Sequence, residues 1–379
     1  MKALFLIFHG FEESNGISKK IRYQISAFKE CGVDIRNCYY DIDKDNNRKW
    51  IIDNQVLVNF GNSIWGKIKK RFCFNAILEY IIEQEIDFVY IRSYHNANPF
   101  TINFISKIKK RNIKVVMEIP TYPYDQEYIT LRMKLDLWVD KLFRRRLARE
   151  TDAIVTFSNE PVIFGKQTIR ISNGIDFSKI KIKQPNSTSH STQINLIGVA
   201  EVHYWHGFDR VVQGLADYYK SPHNTPVYFH IVGDLTGERE KRDILVPIKE
   251  NNLEKYVILH GRKFGKELDS LFNEADFGIG SLGRHRSNIT YIKTLKNREY
   301  AARGIPFAYS EIDEDFEQMP YILKEPADET PINIQEIVDF YHSRKWNSTE
   351  IRASIKYLSW KNQMGIVLKS MFSSYETEN

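Results

Sequence analysis

The stretch TLKNREYAARGIP, residues Thr294–Pro306, has the pattern of a helix that follows a strand. Gly304 is placed to end the helix and Pro306 to start the next extended segment. The spacing puts Lys296 and Glu299 on one face of the first turns. Free backbone N–H groups and the helix dipole make a helix N-terminus a binding site for phosphate. With a lysine beside the phosphate and a carboxylate for ribose hydroxyls, the stretch predicts a site for a nucleotide sugar diphosphate. The alternative is an amphipathic helix with surface charges.

Length and composition indicate a globular protein of two domains. At 379 residues the chain is long for a single core, and 42% hydrophobic with 27% charged residues is ordinary for a folded chain. No run approaches the roughly 18 apolar residues that a membrane-spanning helix needs. Residues 1–10 have a short apolar run without a small-residue cleavage site, which predicts a buried strand rather than a signal peptide. The three cysteines suggest neither a metal site nor a disulfide framework, so a reducing cytoplasm is expected.

Short apolar runs alternate with helical patterns, which predicts doubly wound parallel sheets. In the first half the predicted strands are Ala3–Phe8, Val33–Tyr40, Phe88–Ile91, Lys114–Glu118 and Ala153–Phe157. The polar stretch Gln184–Gln193 is the expected linker or surface loop. The alternation restarts at Ile194–Val199. It predicts Phe307–Tyr309 as the last strand and Ser348–Ser373 as a closing helix.

Two motifs in the second half resemble a known family. The pattern of Thr294–Pro306 resembles the [ST]-L-K-x-x-E-Y-x-A-x-G-x-P motif of GT-B glycosyltransferases of the family 4 type. Residues Val202–Arg210, VHYWHGFDR, resemble the W-H-G-x-D-R of some capsule and lipopolysaccharide glycosyltransferases. The resemblance implies an α/β GT-B fold whose two Rossmann-like domains face a central cleft. It implies an acceptor-side domain at 1–175, a nucleotide-sugar domain at 176–355 and a C-terminal helix at 356–379 that crosses back to the first domain.

The resemblance also assigns the donor site. Lys296 and Arg284 are expected on the diphosphate, and Glu299 on the ribose. The remaining expected donor contacts are Gly16, His206, Gly233, Arg262, Thr294 and Leu295.

Three positions depart from the family pattern. Tyr291 stands where the first of the family's two carboxylates falls, and Glu201 and His206 stand where a basic loop contacts the diphosphate. Arg284 and Arg286, in GSLGRHRSNITY, are candidates to replace that loop.

Polar and aromatic residues follow two strands of the first half. Glu118 and Tyr122, in EIPTYPYDQE, are expected near the donor sugar or the acceptor. His95, in IRSYHN, is a further catalytic candidate, with a structural histidine as the alternative. A general base here would imply inversion, because the acceptor hydroxyl must lose its proton. The family resemblance implies retention instead, with Arg284 acting on the leaving group.

The resemblance implies transfer of a sugar from a nucleotide diphosphate sugar, UDP rather than GDP, to a hydroxyl of a lipid-linked or polysaccharide acceptor. No metal or other cofactor is expected, because positive side chains and a helix N-terminus would stabilise the departing diphosphate. Three alternatives stay open: a sugar-nucleotide epimerase, a phosphorylase, and a non-catalytic nucleotide-binding or lipid-binding protein.

The positive charge is concentrated in the first half. Residues 1–180 carry 29 Lys+Arg and 21 Asp+Glu, a net charge of +8, which leaves −2 for the rest of the chain. The segments Ile64–Phe74 and Lys141–Arg149 add aromatic or basic clusters that suit an anionic membrane surface. Nucleic acid is the rival partner, but the sequence has no recognised motif for it. We expect a cytoplasmic protein, peripheral on the inner face of the membrane, with a solvated basic face as the alternative.

Overall fold

The computed structural model describes residues 1–11, 16–92, 97–125, 128, 130–184 and 192–372. The chain forms two compact units. The first unit holds residues 1–172 together with the chain from Trp360 onward, and the second unit is Asn173–Ser359.

Strands and helices alternate through both units. Within the described residues the strands are β1 (Lys2–Ile7), β2 (Asp34–Ile42), β3 (Arg48–Ile52), β4 (Gln55–Asn59), β5 (Phe88–Arg92), β6 (Lys114–Ile119), β7 (Ala153–Thr156), β8 (Val162–Ile163), β9 (Lys166–Arg170), β10 (Ile194–Val199), β11 (Val227–Val232), β12 (Val257–Gly261), β13 (Phe277–Ile279), β14 (Phe307–Tyr309) and β15 (Ile322–Lys324). The helices are α1 (Gly16–Glu30), α2 (Ile64–Phe72), α3 (Asn75–Glu83), α4 (Pro99–Lys109), α5 (Leu131–Glu150), α6 (Phe208–Tyr219), α7 (Glu238–Glu250), α8 (Gly265–Glu274), α9 (Leu295–Arg303), α10 (Ile334–His342), α11 (Ser348–Ser354) and α12 (Trp360–Met371).

The first unit is built on one sheet in the order β4-β3-β2-β1-β5-β6-β7-β9-β8. The strands from β2 to β9 in this order pair in parallel, so their carboxyl ends share one edge. Leu4 and Leu6 of β1 pack on one face with residues of α3, α4 and α5, whereas Phe5 packs on the other face with Phe28 of α1 and Met364 of α12. Helices cover both faces, which explains why the central strands are mostly apolar on both faces.

The second unit is a fully parallel sheet in the order β12-β11-β10-β13-β14-β15. Counted from its own first strand, this order is 3-2-1-4-5-6, the order of doubly wound nucleotide-binding folds. The order reverses between β10 and β13. Ligands of such sheets bind beyond the carboxyl ends of the strands at this reversal. The α/β doubly wound prediction is therefore confirmed.

An antiparallel hairpin, β3–β4, is absent from the predicted alternation. Its turn is Asp53–Asn54, whose φ angles of 44° and 71° are those that a two-residue type I′ turn requires. Alternation of strands and helices does not anticipate a hairpin, but this turn dipeptide between two apolar runs was a usable signal.

Two predictions near the end of the chain are wrong. Phe307–Tyr309 is not the last strand, because β15 follows and pairs with it. The predicted closing helix Ser348–Ser373 is interrupted: α11 ends at Ser354, and Ser359 has extended backbone (ψ 143°) immediately before α12. Among the helices in the described part of the chain, none is both long and apolar enough to cross a bilayer.

Candidate active site

The N-terminus of α9 lies close to the predicted position in the sequence. Thr294 is the N-cap residue, and Gly304 ends the helix in the left-handed conformation (φ 79°). Among the described residues no side chain caps the helix, and the buried Thr294 hydroxyl has no hydrogen-bond partner. Uncapped N–H groups in a first turn suit an anionic ligand.

Arg298 holds this first turn in place. Its fully buried guanidinium donates to the carboxylate of Asp313 at 2.7 and 3.0 Å. It also donates to the carbonyl oxygens of Asn173, at 2.8 Å, and Thr294, at 3.0 Å. A bidentate arginine–carboxylate pair has a fixed geometry, so the start of α9 is preorganised.

Lys296, in the first turn of α9, has a buried ammonium group with no hydrogen-bond partner in the described part of the chain. Its Nζ lies 5.4 Å from the centre of the Phe208 ring. Burial, and then the charge of Arg284, lower the pKa of Lys296 to about 7. A buried cation without a partner is costly, so Lys296 is placed to receive an anion.

The loop after β13 supplies two arginines with different surroundings. Arg286 donates to Asp209 at 2.7 and 2.9 Å, to Glu329 and to the carbonyl oxygen of Tyr204 at 2.7 Å. These bonds hold the loop, so Arg286 does not replace the missing basic loop. The guanidinium of Arg284 lies 5.7 Å from the centre of the Trp205 ring, and its charge acts on Lys296 and His206.

The loop after β10 contributes a neutral histidine rather than a cation. The Nδ1 of His206 accepts the backbone N–H of His203 at 3.0 Å. Burial, and then Lys296 and Arg284, lower the pKa of His206 well below its usual value. The glycine at position 207 is in the left-handed region (φ 67°), and a Cβ on it would lie 2.7 Å from the carbonyl carbon of Leu282. His206 therefore lines the site as an uncharged ring where two loops touch.

Gly233 and Arg262 follow β11 and β12. A Cβ on Gly233, whose φ is 134°, would lie 1.6 Å from the carbonyl oxygen of Ala200, so the approach of these two loops requires glycine. The Nε of Arg262 lies 3.1 Å from the carboxylate of Asp234, and half of its side chain is exposed. Both positions follow strand ends, as predicted.

Glu299 lies one turn into α9 and is partly exposed. Its Oε1 accepts from Arg303 at 2.9 Å, and Arg303 is itself held by Asp269 at 2.9 Å. The bond from Arg303 therefore fixes the orientation of the Glu299 carboxylate. Leu295, the first residue of α9, is 40% exposed, which leaves its backbone approachable.

Glu311 is a buried site residue that the sequence reasoning missed. It follows β14, and neither carboxylate oxygen accepts a hydrogen bond from another described residue. Burial raises the pKa of Glu311 to about 7, and Arg284 and Lys296 lie near enough to act on it. The position after a strand, which drew attention to Glu118, is shared by the Ser310–Glu311 pair after β14, and this was the available signal.

In the first unit, Glu118 lies at the carboxyl end of β6 and is fully buried. Its carboxylate accepts from Gln24 and Tyr90 at 2.6 Å and from Arg92 at 2.5 Å, with the Nζ of Lys20 at 3.9 Å. Burial alone would raise the pKa of Glu118, but these cations and donors together lower it. Glu118 therefore forms the centre of a satisfied polar network.

The remaining first-unit residues are placed as follows. Gly16 begins α1. The Tyr122 ring is partly buried, with its centre 5.7 Å from the centre of the Phe164 ring. His95 lies outside the described residues.

Neither a protein-family model nor a curated protein sequence matches the chain. Solved structures do. Sucrose-phosphate synthase from Thermosynechococcus elongatus is 14% identical, with 99% of this chain and 100% of that chain covered and a TM-score of 0.66. HepE of Anabaena in complex with UDP is 13% identical, with 98% and 100% covered and a TM-score of 0.61. UDP-GlcNAc 2-epimerase from Methanocaldococcus jannaschii is 12% identical, with 99% and 100% covered and a TM-score of 0.52. The chain therefore has the GT-B fold.

Proposed function

We propose that the protein is a glycosyltransferase that moves a sugar from a nucleotide diphosphate sugar to a hydroxyl acceptor. The observation that carries this proposal is Lys296, whose buried ammonium group has no hydrogen-bond partner among the described residues and lies at a helix N-terminus where the N-cap side chain makes no capping bond. It lies in a unit whose strand order is that of nucleotide-binding sheets. The likeness of the fold to sugar-nucleotide enzymes supports the same conclusion. From the motif resemblance we further propose that the enzyme is of the family 4 type and transfers a hexosyl group from a UDP sugar rather than a GDP sugar. The same resemblance favours retention of the configuration at the transferred sugar.

In this proposal the residues of the second unit act mainly on the leaving group. The N–H groups of the first turn of α9, Lys296 and Arg284 bind the diphosphate. They stabilise the negative charge that grows as the glycosidic bond breaks. Glu299 accepts from the ribose hydroxyls. The preorganised charge does the work that a cation would otherwise do, so we propose that the reaction needs no metal.

The first unit is proposed to receive the acceptor. Tyr122 follows β6 and is the proposed contact to the sugar or the acceptor, together with His95. The Glu118 carboxylate is fully occupied by its neighbours, which favours a positioning role through Arg92 over direct contact with substrate.

The test is nucleotide binding followed by turnover. UDP, GDP and ADP are compared by thermal shift, because a ligand at 100 times its dissociation constant stabilises by about 2.7 kcal/mol. Purified protein with the matching nucleotide sugars should then release free nucleotide diphosphate. Failure of every nucleotide to bind would refute the proposed donor site.

An epimerase is the second candidate, and the fold likeness to a UDP-GlcNAc 2-epimerase is the observation that favours it. The two reactions differ in what happens to the nucleotide sugar. A transferase releases nucleotide diphosphate and needs an acceptor, whereas an epimerase returns an isomeric nucleotide sugar. Chromatography of the products after incubation with UDP-GlcNAc alone separates them.

We further propose that the acceptor is lipid-linked, as for a capsule or lipopolysaccharide intermediate, and that the enzyme works at the cytoplasmic face of a membrane. Two helices of the first unit support this. The exposed residues of α2 are four apolar side chains and three cations, with no acid. Along α5, a stripe at helical spacing is strongly exposed: Leu131 (85%), Leu135 (68%), Trp138 (62%) and Leu142 (58%).

The charge around the α5 stripe suits an anionic surface. The exposed cations of the helix are Arg132, Lys134, Lys141, Arg145, Arg146 and Arg149. The acids of α5 are not exposed: Asp140 accepts from Tyr124 at 2.6 Å and is buried, and Asp136 and Glu150 are partly buried. Exposed apolar side chains among exposed basic ones suit contact with an anionic membrane interface.

Co-sedimentation with phosphatidylglycerol vesicles tests the membrane proposal. Binding should require anionic lipid and weaken with salt. It should fall when Leu135, Trp138 and Leu142 become Ser. It should also fall when Lys67, Lys69 and Arg71, the exposed cations of α2, become Ser, because each cation contributes up to about 1 kcal/mol at such a surface. The control replaces Leu245 and Val246, exposed apolar residues of the second unit, by Ser. Absence of binding at low salt would remove the membrane proposal and leave the transferase proposal standing.

A further inference from the structure

Glu311 is held in place by its backbone, whereas its carboxylate has no hydrogen-bond partner on another described residue. Lys324 donates to the Glu311 carbonyl oxygen. On either side, the Ser310 N–H donates to Ser281 at 3.0 Å and the Ile312 N–H donates to Thr290 at 2.7 Å. The side chain is 2% exposed, and its two oxygens accept nothing from another described residue. Native proteins rarely bury a carboxylate in this way, because the desolvation cost is uncompensated.

Near Glu311, the buried ammonium group of Lys296 also lacks a hydrogen-bond partner in the described part of the chain. Lys296 and Glu311 act on each other electrostatically, yet both belong to the described atoms that lack a hydrogen-bond partner, so they are not bonded to each other. Their backbones are fixed by different elements, α9 and the loop after β14. Two opposite buried groups that lie near each other without bonding are the expected lining of a site whose ligand contacts both.

The chemistry of the two groups describes that ligand. An ammonium group donates hydrogen bonds and attracts an anion, whereas a carboxylate accepts hydrogen bonds and repels an anion. The ligand must therefore place a negative group at Lys296 and a hydroxyl at Glu311. A diphosphate bonded to a sugar has both groups next to each other. A nucleoside diphosphate alone lacks the hydroxyls of the transferred sugar.

The geometry points to Glu311 as the residue that accepts a hydrogen bond from a hydroxyl of the transferred sugar. This inference rests on the proposed donor site. It assigns Glu311 to recognition of the sugar and leaves Lys296 and Arg284 on the diphosphate. Glu311 is then a specificity-determining contact that distinguishes the intact donor from the product nucleotide.

The test is the affinity of Glu311→Gln for a nucleoside diphosphate and for its sugar conjugate. Calorimetry is run with UDP, GDP and ADP and with their glucose, galactose, mannose and N-acetylglucosamine conjugates, and the tightest conjugate and its parent nucleotide are compared. Removal of the negative charge should leave the nucleotide affinity unchanged or raise it. Loss of a hydrogen bond to a charged acceptor should weaken the conjugate by about tenfold or more.

The variant should fold, because neither oxygen of the replaced carboxylate bonds to another described residue and the nearby Lys296, whose pKa is lowered by burial, can lose its proton. Its melting temperature should be equal to or above that of the wild type. Glu254→Gln, an exposed glutamate of the same unit, is the matched control and should change neither affinity. A ratio of conjugate to nucleotide affinity that stays within twofold of the wild type overturns the role of Glu311 while the donor site stands. Absence of nucleotide binding by the wild type overturns the donor site, and the role of Glu311 with it.

Discussion

The two units each bury a glutamate at the carboxyl end of a parallel strand, and the two glutamates have opposite surroundings. Glu118 of the first unit receives hydrogen bonds from Gln24, Tyr90 and Arg92. Glu311 of the second unit receives none from another described residue, and Lys296 near it is also without a partner. A satisfied buried charge holds a structure together, whereas an unsatisfied one costs stability that a ligand can recover. The comparison separates a structural network from a binding site.

The largest expected effect is on stability in the first unit. Glu118→Gln removes the carboxylate to which the buried guanidinium of Arg92 donates, which should lower the free energy of unfolding by about 3–5 kcal/mol. Urea unfolding measures it. Glu311→Gln, the same substitution in the second unit, should lower stability little or raise it. Equal losses in the two variants would contradict the distinction between the two carboxylates.

The next effect is on turnover and separates the two arginines after β13. Lys296→Met and Arg284→Met should each lower kcat by about 10²–10³-fold, because the charge on the leaving diphosphate is greatest in the transition state. Arg286→Met removes the bonds to Asp209 and Glu329 and should lower stability instead. Donor hydrolysis measured as kcat and KM checks this. A rise in KM alone for Lys296→Met or Arg284→Met would indicate uniform binding rather than transition-state stabilisation.

A smaller effect is expected at the ribose. Glu299→Gln should weaken donor binding by about 1.5–3 kcal/mol, as expected for loss of a hydrogen bond to a charged group. Glu267→Gln is the matched control, since Glu267 is also paired with a cation, Lys263, in an exposed i,i+4 pair. Calorimetry with the nucleoside diphosphate measures both. Unchanged affinity in a folded Glu299→Gln protein would remove Glu299 from the site.

Much of the fold is readable from the sequence, because parallel strands buried on both faces are continuous apolar runs. The helix from Leu295 to Arg303 is equally readable, since Gly304 and Pro306 mark its end. The hairpin at Asp53–Asn54 breaks the alternation and was therefore missed. The break before Trp360 was missed because helical periodicity continues across it.

The site residues are readable only in part. The position after a strand is shared by Glu118, Arg284 and Glu311, because it depends only on where a residue lies along the chain. It does not report which carboxylate has partners, because those partners come from distant elements such as Gln24 of α1. For the same reason the sequence did not distinguish Arg286 from Arg284, because Asp209 and Glu329, which bind Arg286, come from distant parts of the chain.

The central claim is that Lys296 receives the diphosphate, and its titration tests this most directly. Its pKa is about 7 in the free protein because of burial, and an anion beside it should raise that pKa. Binding at pH 8 should therefore take up protons, and affinity should fall as pH rises above 7, by up to about tenfold per unit. Glu311, whose pKa is raised by burial, acts in the same direction, and Lys296 itself lowers the pKa of Glu311, so the lysine is isolated in a Glu311→Gln background.

The measurement is calorimetry of nucleoside diphosphate binding at pH 8 in two buffers of different ionisation enthalpy, with Glu311→Gln and with the double variant Glu311→Gln, Lys296→Met. The single variant should take up close to one proton more than the double variant and should bind more tightly. Equal proton uptake and equal affinity in the two proteins would show that the anion does not bind at Lys296.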